Sequence, residues 1–284
     1  MIRRIALLAV VALTLAPSTF ATPGTWLKTI GAAQTAAKSK KQLILVDMFA
    51  EWCGWCHRFE REVFPSAIFQ TATSDMILLR LNTEDGGEGT DFARKFGVTS
   101  LPTFLILDSD LSLAGLIRGY APPTDFANSL KETRSKYGLF LSRVKNEPNL
   151  GKDYMARLDL AKEFLSRSAY DKSEPRLKKL MAEKGVPAAI RDEAYYQLAV
   201  SYAVQSKNEE GLKTIRALNA LSKQGEAVER ALYLAGQIYM QQGNLMAAAN
   251  EFRKFKTTFP ASPLVENIDV VLPELERRLS NGGK

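Results

Sequence analysis

The chain has 284 residues, 46% of them apolar and 24% charged, and a formal charge of +7. That composition fits about two globular domains and excludes wholesale disorder, collagen-like sequence and low-complexity sequence. Two cysteines are too few for a disulfide scaffold, and without a block of five or more basic residues nucleic-acid binding has little support.

Arg3 and Arg4 precede an eleven-residue apolar run, residues 5–15, and small residues follow at Thr19 and Ala21. A charged start, a short apolar stretch and small residues before a cleavage point read as a secretory signal peptide, residues 1–21. The run is too short to span a membrane, which takes about 20 residues. No cysteine precedes Cys53, so an N-terminal lipid-modified cysteine is excluded. The mature protein is expected to be exported, into the periplasm if the source is a diderm bacterium, with no stable membrane insertion.

Residues 22–143 alternate strand and helix signals. An Ala-rich helix is predicted over 26–40. The aliphatic run 43–49 is short and β-branched, as a buried strand is. A helix follows over 53–64, with Phe59, Val63 and Phe64 on one face. A second strand is predicted at 76–81. Gly86, Gly87 and Gly89 break the chain; they lack the lysine and spacing of a phosphate loop and read as a turn. A short helix over 90–96 stops at Gly97, strands follow at 103–107 and 113–118, and a helix over 122–137 closes at Gly138. Strands interleaved with helices over this length indicate an α/β sandwich.

From residue 144 to 284 strand signals vanish. Small residues at Ala161, Ala199 and Gly236 are each followed three residues later by an aromatic, Phe164, Tyr202 and Tyr239. Gly243, Ala248, Phe252 and Pro260 complete the last unit. This pattern resembles the tetratricopeptide repeat and implies an all-α helical solenoid, with residues 264–279 as its closing helix. First helices of the pairs are expected near 153–165, 192–204 and 229–240. Arg157, Tyr195, Gln197, Tyr233 and Gln237 are expected on their less buried faces, where a protein partner would dock.

The cysteines are the centre of the chemistry. Cys53-Gly54-Trp55-Cys56 directly follows a strand and opens a helix, where free N–H groups and the helix dipole favour a thiolate. Cys53, at the first position and expected to be exposed, is the nucleophile. Cys56, one turn further in, resolves the mixed disulfide. The two-residue spacer lets the pair close into a redox-active disulfide.

Residues 45–56, Leu-Val-Asp-Met-Phe-Ala-Glu-Trp-Cys-Gly-Trp-Cys, closely resemble the active-site strand and helix of thioredoxin, over about 120 residues in all. The resemblance implies a thioredoxin fold and thiol:disulfide oxidoreductase activity, reductase or isomerase rather than oxidase. It implies that Asp47 is a buried carboxylate transferring a proton for Cys56, and that Arg80 stands where a lysine often does. It implies a cis-proline loop at Leu101-Pro102, whose backbone at residue 101 pairs with substrate. Gly119 matches a glycine of the neighbouring loop. Trp55 replaces the proline of the usual dipeptide and Arg61 a helix-kinking proline; residues 57–64 look more like exported disulfide reductases. Trp52 and Trp55 are candidate substrate contacts beside the nucleophile.

Cys53-x-x-Cys56-His57 also spells the attachment signature of c-type haem. Such a motif normally follows a short helix, not a strand, and haem explains neither Pro102 nor Asp47. Two cysteines and the adjacent, single histidine make a poor zinc set. No metal or cofactor is therefore expected. The expected partners are protein thiols and disulfides, a redox donor protein, and a protein docked on the repeats. The competing reading is an adaptor that binds a complex through its repeats, with the α/β domain as scaffold.

Overall fold

Strand β1, Leu43–Phe49, is an apolar run interrupted by one carboxylate, and the sheet is built around it. The structure is a computed structural model and describes residues 25–281, so the predicted signal peptide lies outside the described residues. Strand β2, Met76–Asn82, lies parallel to β1 on one side; β3, Thr103–Leu107, and β4, Leu113–Arg118, add antiparallel on the other. The order is β2-β1-β3-β4. A strand buried on both faces reads as a continuous apolar run, which is why β1 was legible.

Side-chain alternation sends neighbours in β1 to opposite faces. Ile44, Val46 and Met48 join Ala33, Ala37 and Phe92 in one core, under helices α1, Ile30–Lys40, and α4, Glu88–Lys95. Leu45 joins Phe59, Phe69, Phe104 and Phe126 in the other. That second face is covered by α2, Gly54–Glu62; α3, Ala67–Ala72; and α5, Pro123–Asn146. By the same alternation Asp47 and Arg80 belong to the α2 face.

The structure departs most from these expectations at three places. Residues 26–29 are extended rather than helical: the Leu27 N–H donates to the Leu78 carbonyl at 2.8 Å and the Leu27 carbonyl accepts from the Arg80 N–H at 3.0 Å. The open edge of β2 claims this segment, and Thr29 then caps α1. Helix α3 was not predicted; Ser66 caps it by accepting from the Phe69 N–H at 3.2 Å, and Phe69 anchors it in the core. Helix α5 does not stop at Gly138 but continues to Asn146, because Phe140, one turn beyond Tyr137, is also buried.

After a single 3-10 turn, helices α6, Tyr154–Ser166, and α7, Tyr170–Ala182, form a pair. Two further pairs follow: α8, Ala188–Val204, with α9, Asn208–Leu221, and α10, Glu226–Gln241, with α11, Leu245–Thr258. Helix α12, Leu264–Asn281, packs on α11 and closes the array. The backbone repeats with the sequence. Ser168, Ser206 and Gly243, spaced 38 and 37 residues apart, all have positive φ, at 56°, 58° and 73°. In each turn the next residue's N–H reaches back to the carbonyl of the repeat aromatic: Ala169 to Phe164 at 3.0 Å, Lys207 to Tyr202 at 2.9 Å, Asn244 to Tyr239 at 2.9 Å. Such a turn satisfies the last carbonyls of the first helix and aims the second back along it.

The expected ligand-facing positions divide. Gln237 is exposed. Arg157 instead pairs with Glu183, Nη2 to Oε2 at 2.6 Å, and Gln197 donates to Glu193 at 2.8 Å. Tyr233 packs against Phe252 and Phe255, and Tyr195 lies on the same core. These long side chains find partners within the helix pairs, on a neighbouring helix or one turn along their own, before they reach solvent.

Candidate active site

Cys53 is the N-cap of α2, in extended conformation, and Cys56 lies in the first helical turn. Their sulfurs are joined in a disulfide, S–S 2.07 Å, with Cα atoms 5.2 Å apart. The Cys56 backbone N–H donates to Cys53 Sγ at 3.1 Å. On reduction the same N–H, at the positive end of the helix, would stabilise a Cys53 thiolate. Contrary to expectation Cys53 is not exposed: it retains 3% of its accessible surface and Cys56 2%. Ala50, Phe49 and Leu101 pack around the pair. An oxidised sulfur turned toward its partner is sheltered by that apolar collar.

The Leu101–Pro102 peptide is cis, as expected. Leu101 touches the cysteine cluster, and the Pro102 carbonyl accepts from the Gly119 N–H at 2.8 Å. Gly119, with φ of 80°, thereby ties the loop after β4 to the proline loop. Among the described residues no hydrogen bond engages the Leu101 N–H or carbonyl.

Helix α2 carries two stripes at helical spacing. Cys53, Cys56, His57 and Glu60 follow one line; Trp55, Arg58, Phe59 and Glu62 follow the other. On the first, Glu60 meets Arg80, whose guanidinium also faces Asp47. Arg80 Nε lies 3.0 Å from Asp47 Oδ2, and its Nη2 contacts Glu60 Oε1. The Nε–H does not point along the line to Asp47, so that contact is an ion pair rather than a well-formed hydrogen bond. Arg80 also covers the Phe49 ring at 4.0 Å. His57 lies 3.7 Å from Glu60 through Nδ1 and 2.8 Å from the Glu51 carbonyl through Nε2.

Asp47 is 2% exposed. Burial raises its carboxyl, Glu60 adds to the rise and Arg80 opposes it, which leaves the group at about 7. Desolvation of a carboxylate outweighs one partly shared cation here, because Arg80 divides its charge between two acids. The result is a buried group that takes up and releases a proton near neutrality, directly beneath α2.

The two tryptophans stand proud of this recessed pair, Trp52 69% and Trp55 55% exposed. Trp52 is tethered, its Nε1–H donating to Glu84 at 2.8 Å. Trp55 lies against Tyr120, ring planes tilted by 36° and centroids 5.5 Å apart, with Arg58 beside both rings.

Residues 31–134 match the family model described as a thioredoxin-like domain. This segment is a thioredoxin-like domain. The chain is 29% identical over 101 residues to the thiol:disulfide interchange protein DsbD of Actinobacillus pleuropneumoniae serotype 5b, covering 34% of this chain and 17% of that protein. The DsbD of Citrobacter koseri is 32% identical over 77 residues, 27% of this chain and 14% of the relative. The chain thus spans less than a fifth of the length of the curated relatives it matches. Among solved structures, a thioredoxin from Thermus thermophilus is 20% identical, with a TM-score of 0.38 and coverage of 41% of this chain and 92% of its own.

In the thioredoxin-like domain the structure brings Cys53, Cys56 and Leu101 together and places Asp47 with Arg80. Four residues escaped the sequence reading: Glu60, Glu62, Arg58 and Tyr120. The signals were present. Glu60 lies one turn beyond Cys56, Arg58 and Glu62 one and two turns beyond Trp55, and Tyr120 follows Gly119.

Proposed function

We propose that the protein is an exported thiol:disulfide oxidoreductase, acting as reductase or isomerase, whose helix pairs recruit a protein partner. One observation carries the first half: a closed Cys53–Cys56 disulfide at the start of α2, beside Leu101-Pro102, on the sheet face that buries Asp47. The relatives' name, thiol:disulfide interchange protein, supports it.

The reduced protein starts with both thiols. The Cys53 thiolate attacks one sulfur of a substrate disulfide; that S–S bond breaks, a mixed disulfide forms, and the departing thiolate takes a proton. Cys56 then gives its proton to Asp47, which enters this step as the carboxylate, and attacks Cys53 Sγ. The second substrate thiolate leaves, and the protein ends as the disulfide seen here. Two electrons pass to the substrate. A reduced dithiol protein, the redox donor, restores the cysteines. The open Leu101 backbone would pair with the substrate strand during attack, with Trp52 and Trp55 on either side. Export rests on the leader 1–21 and brings the domain to a compartment where disulfides persist.

The helix pairs, read as tetratricopeptide-like, would raise the local concentration of substrate at the cysteines without altering their chemistry. Insulin reduction with dithiothreitol as donor tests the core of the proposal. Wild type should accelerate it and Cys53→Ser should not. A wild-type chain inactive in every thiol-exchange assay would leave the adaptor reading in its place. Trapping with Cys56→Ala in native extract then identifies substrates as disulfide-linked partners.

A further inference from the structure

The second stripe of α2 ends in a closed side-chain ring. The Tyr120 hydroxyl donates to Glu62 Oε2 at 2.5 Å, and Glu62 accepts from Arg58 Nε through both oxygens, at 2.9 and 3.0 Å. Arg58 lies 4.7 Å from the Tyr120 ring centre and 5.5 Å from that of Trp55, and Trp55 packs at a tilt against Tyr120. Tyr120 in turn meets Phe59 edge-on at 5.9 Å, and Phe59 is fixed by Phe104 and Phe126 in the core. A run of three contacting aromatic rings therefore leads from the core to an exposed indole beside the disulfide. The polar ring of Arg58, Glu62 and the Tyr120 hydroxyl fixes its orientation. The hydrogen bond to Tyr120 holds the Glu62 carboxyl below the usual carboxylate range, so the ring stays ionised at neutral pH.

An exposed tryptophan on a free helix turn samples several rotamers, and ordering it on binding costs affinity. Here that ordering is already done. We propose that Tyr120, Arg58 and Glu62 are positioning residues that hold Trp55 as a preset wall. The wall selects substrate cysteines flanked by an aromatic or large aliphatic side chain on an extended segment. The inference rests on the reading that Cys53 exchanges with substrate disulfides. Recessed sulfurs under two projecting indoles suit a cysteine on an unfolded segment that can reach inward; an apolar neighbour then meets the indole face. Selection acts through binding, since none of the three residues touches the sulfurs.

Two synthetic disulfide-linked peptides, identical except for Trp or Ser beside the cysteine, separate the claims. The full-length reduced protein should turn over both. Its kcat/KM should favour the Trp peptide by about threefold to tenfold, the span expected of one aromatic pair, and the difference should lie in KM. Tyr120→Ala should erase the preference while leaving the Ser-peptide rate within about twofold. Tyr120→Phe keeps the ring and loses the hydroxyl, and Glu62→Gln keeps the shape and loses the charge; each should give an intermediate preference. No wild-type preference, or equal loss on both peptides in the two conservative variants, overturns the wall while leaving thiol exchange standing. No turnover of the Ser peptide by wild type removes thiol exchange itself and the wall with it.

Discussion

Asp47 stands between Val46 and Met48, both fully buried, and faces a guanidinium that Glu60 also claims. Its carboxyl is raised in the folded protein, to about 7 from an ordinary 3.8. Between those values the folded chain holds a proton that the unfolded chain releases. The stability this group contributes is therefore complete below about pH 4 and is lost as pH rises through 7. Asp47→Asn removes that slope. Denaturant unfolding of the oxidised protein should show the variant more stable than wild type at pH 8, on the order of 4 kcal/mol, with little difference at pH 4. A variant less stable at both values would mean that the Arg80 ion pair outweighs the burial cost. Catalysis should move the opposite way. Resolution of the mixed disulfide should slow in Asp47→Asn and lose its rise through neutral pH, while attack by Cys53 changes little.

Cys53 offers a second test at this scale. The Cys56 N–H already points at its sulfur, whereas Cys56 lies inside the helix. The reduced Cys53 thiol should have a pKa below the free value of about 8.5. Alkylation followed across pH should label Cys53 first, and preferential labelling of Cys56 would reverse the assigned roles. Much of this was readable beforehand. Two cysteines after an apolar strand, and Leu-Pro-Thr downstream, name their own chemistry. The spacing of Glu60 and Tyr120 was visible but their roles were not, because those come from a helix face and a loop meeting in space.

At the scale of elements, glycines discriminate between a local signal and a packing requirement. Gly138 looks like a helix end, yet α5 passes through it with open space where a Cβ would go. Gly236 lies inside α10, and a Cβ there would meet the Phe252 ring at 2.4 to 2.7 Å. The same substitution should therefore have opposite signs. Gly138→Ala should stabilise by about 1 kcal/mol through helix propensity. Gly236→Ala should destabilise by about 1–3 kcal/mol through overpacking, which exceeds that gain. Denaturation midpoints read both, and a destabilising Gly138→Ala would contradict an unbroken α5. Gly236 also explains why the repeat was legible as a period of small residues: Ala161 and Ala199 are its equivalents, both fully buried. The turn residues were less visible, since Ser168 and Ser206 adopt at positive φ what Gly243 adopts freely. Helix α3 was missed because its six residues are too few to show a helical period; only its cap at Ser66 pointed to it.

At the scale of the molecule, the change in grammar after residue 143 suggests two separable domains, but the packing does not divide there. Residue 143 lies in the last turns of α5, and the α/β core continues into the first helix pair. Phe140 meets Phe164 edge-on at 5.1 Å, and Leu160 and Ala169 belong to the same buried cluster as Phe104 and Phe126. Arg167, in the α6–α7 turn, covers the Phe140 ring at 4.2 Å. It donates to the Leu113 and Ala114 carbonyls at 2.9 and 3.0 Å, while its own carbonyl accepts from the Leu113 N–H at 2.8 Å. These bonds occupy the start of β4, an edge strand whose backbone would otherwise be open to pairing. The first helix pair is thus part of the foundation of the redox domain. A fragment of residues 25–143 would expose Tyr137 and Phe140 and lose this cap. It should melt several degrees below a fragment of residues 25–182, which retains α6 and α7, since a buried aromatic contributes about 2–3 kcal/mol. In the full chain Arg167→Ala, which leaves two strand carbonyls without their donor, should cost about 2 kcal/mol. Equal melting of the two fragments would show that the helix pairs are a detachable module. A lower melting point for the shorter one would mean that any loss of substrate trapping on truncation must be measured on the longer fragment, where the cysteines keep their native support.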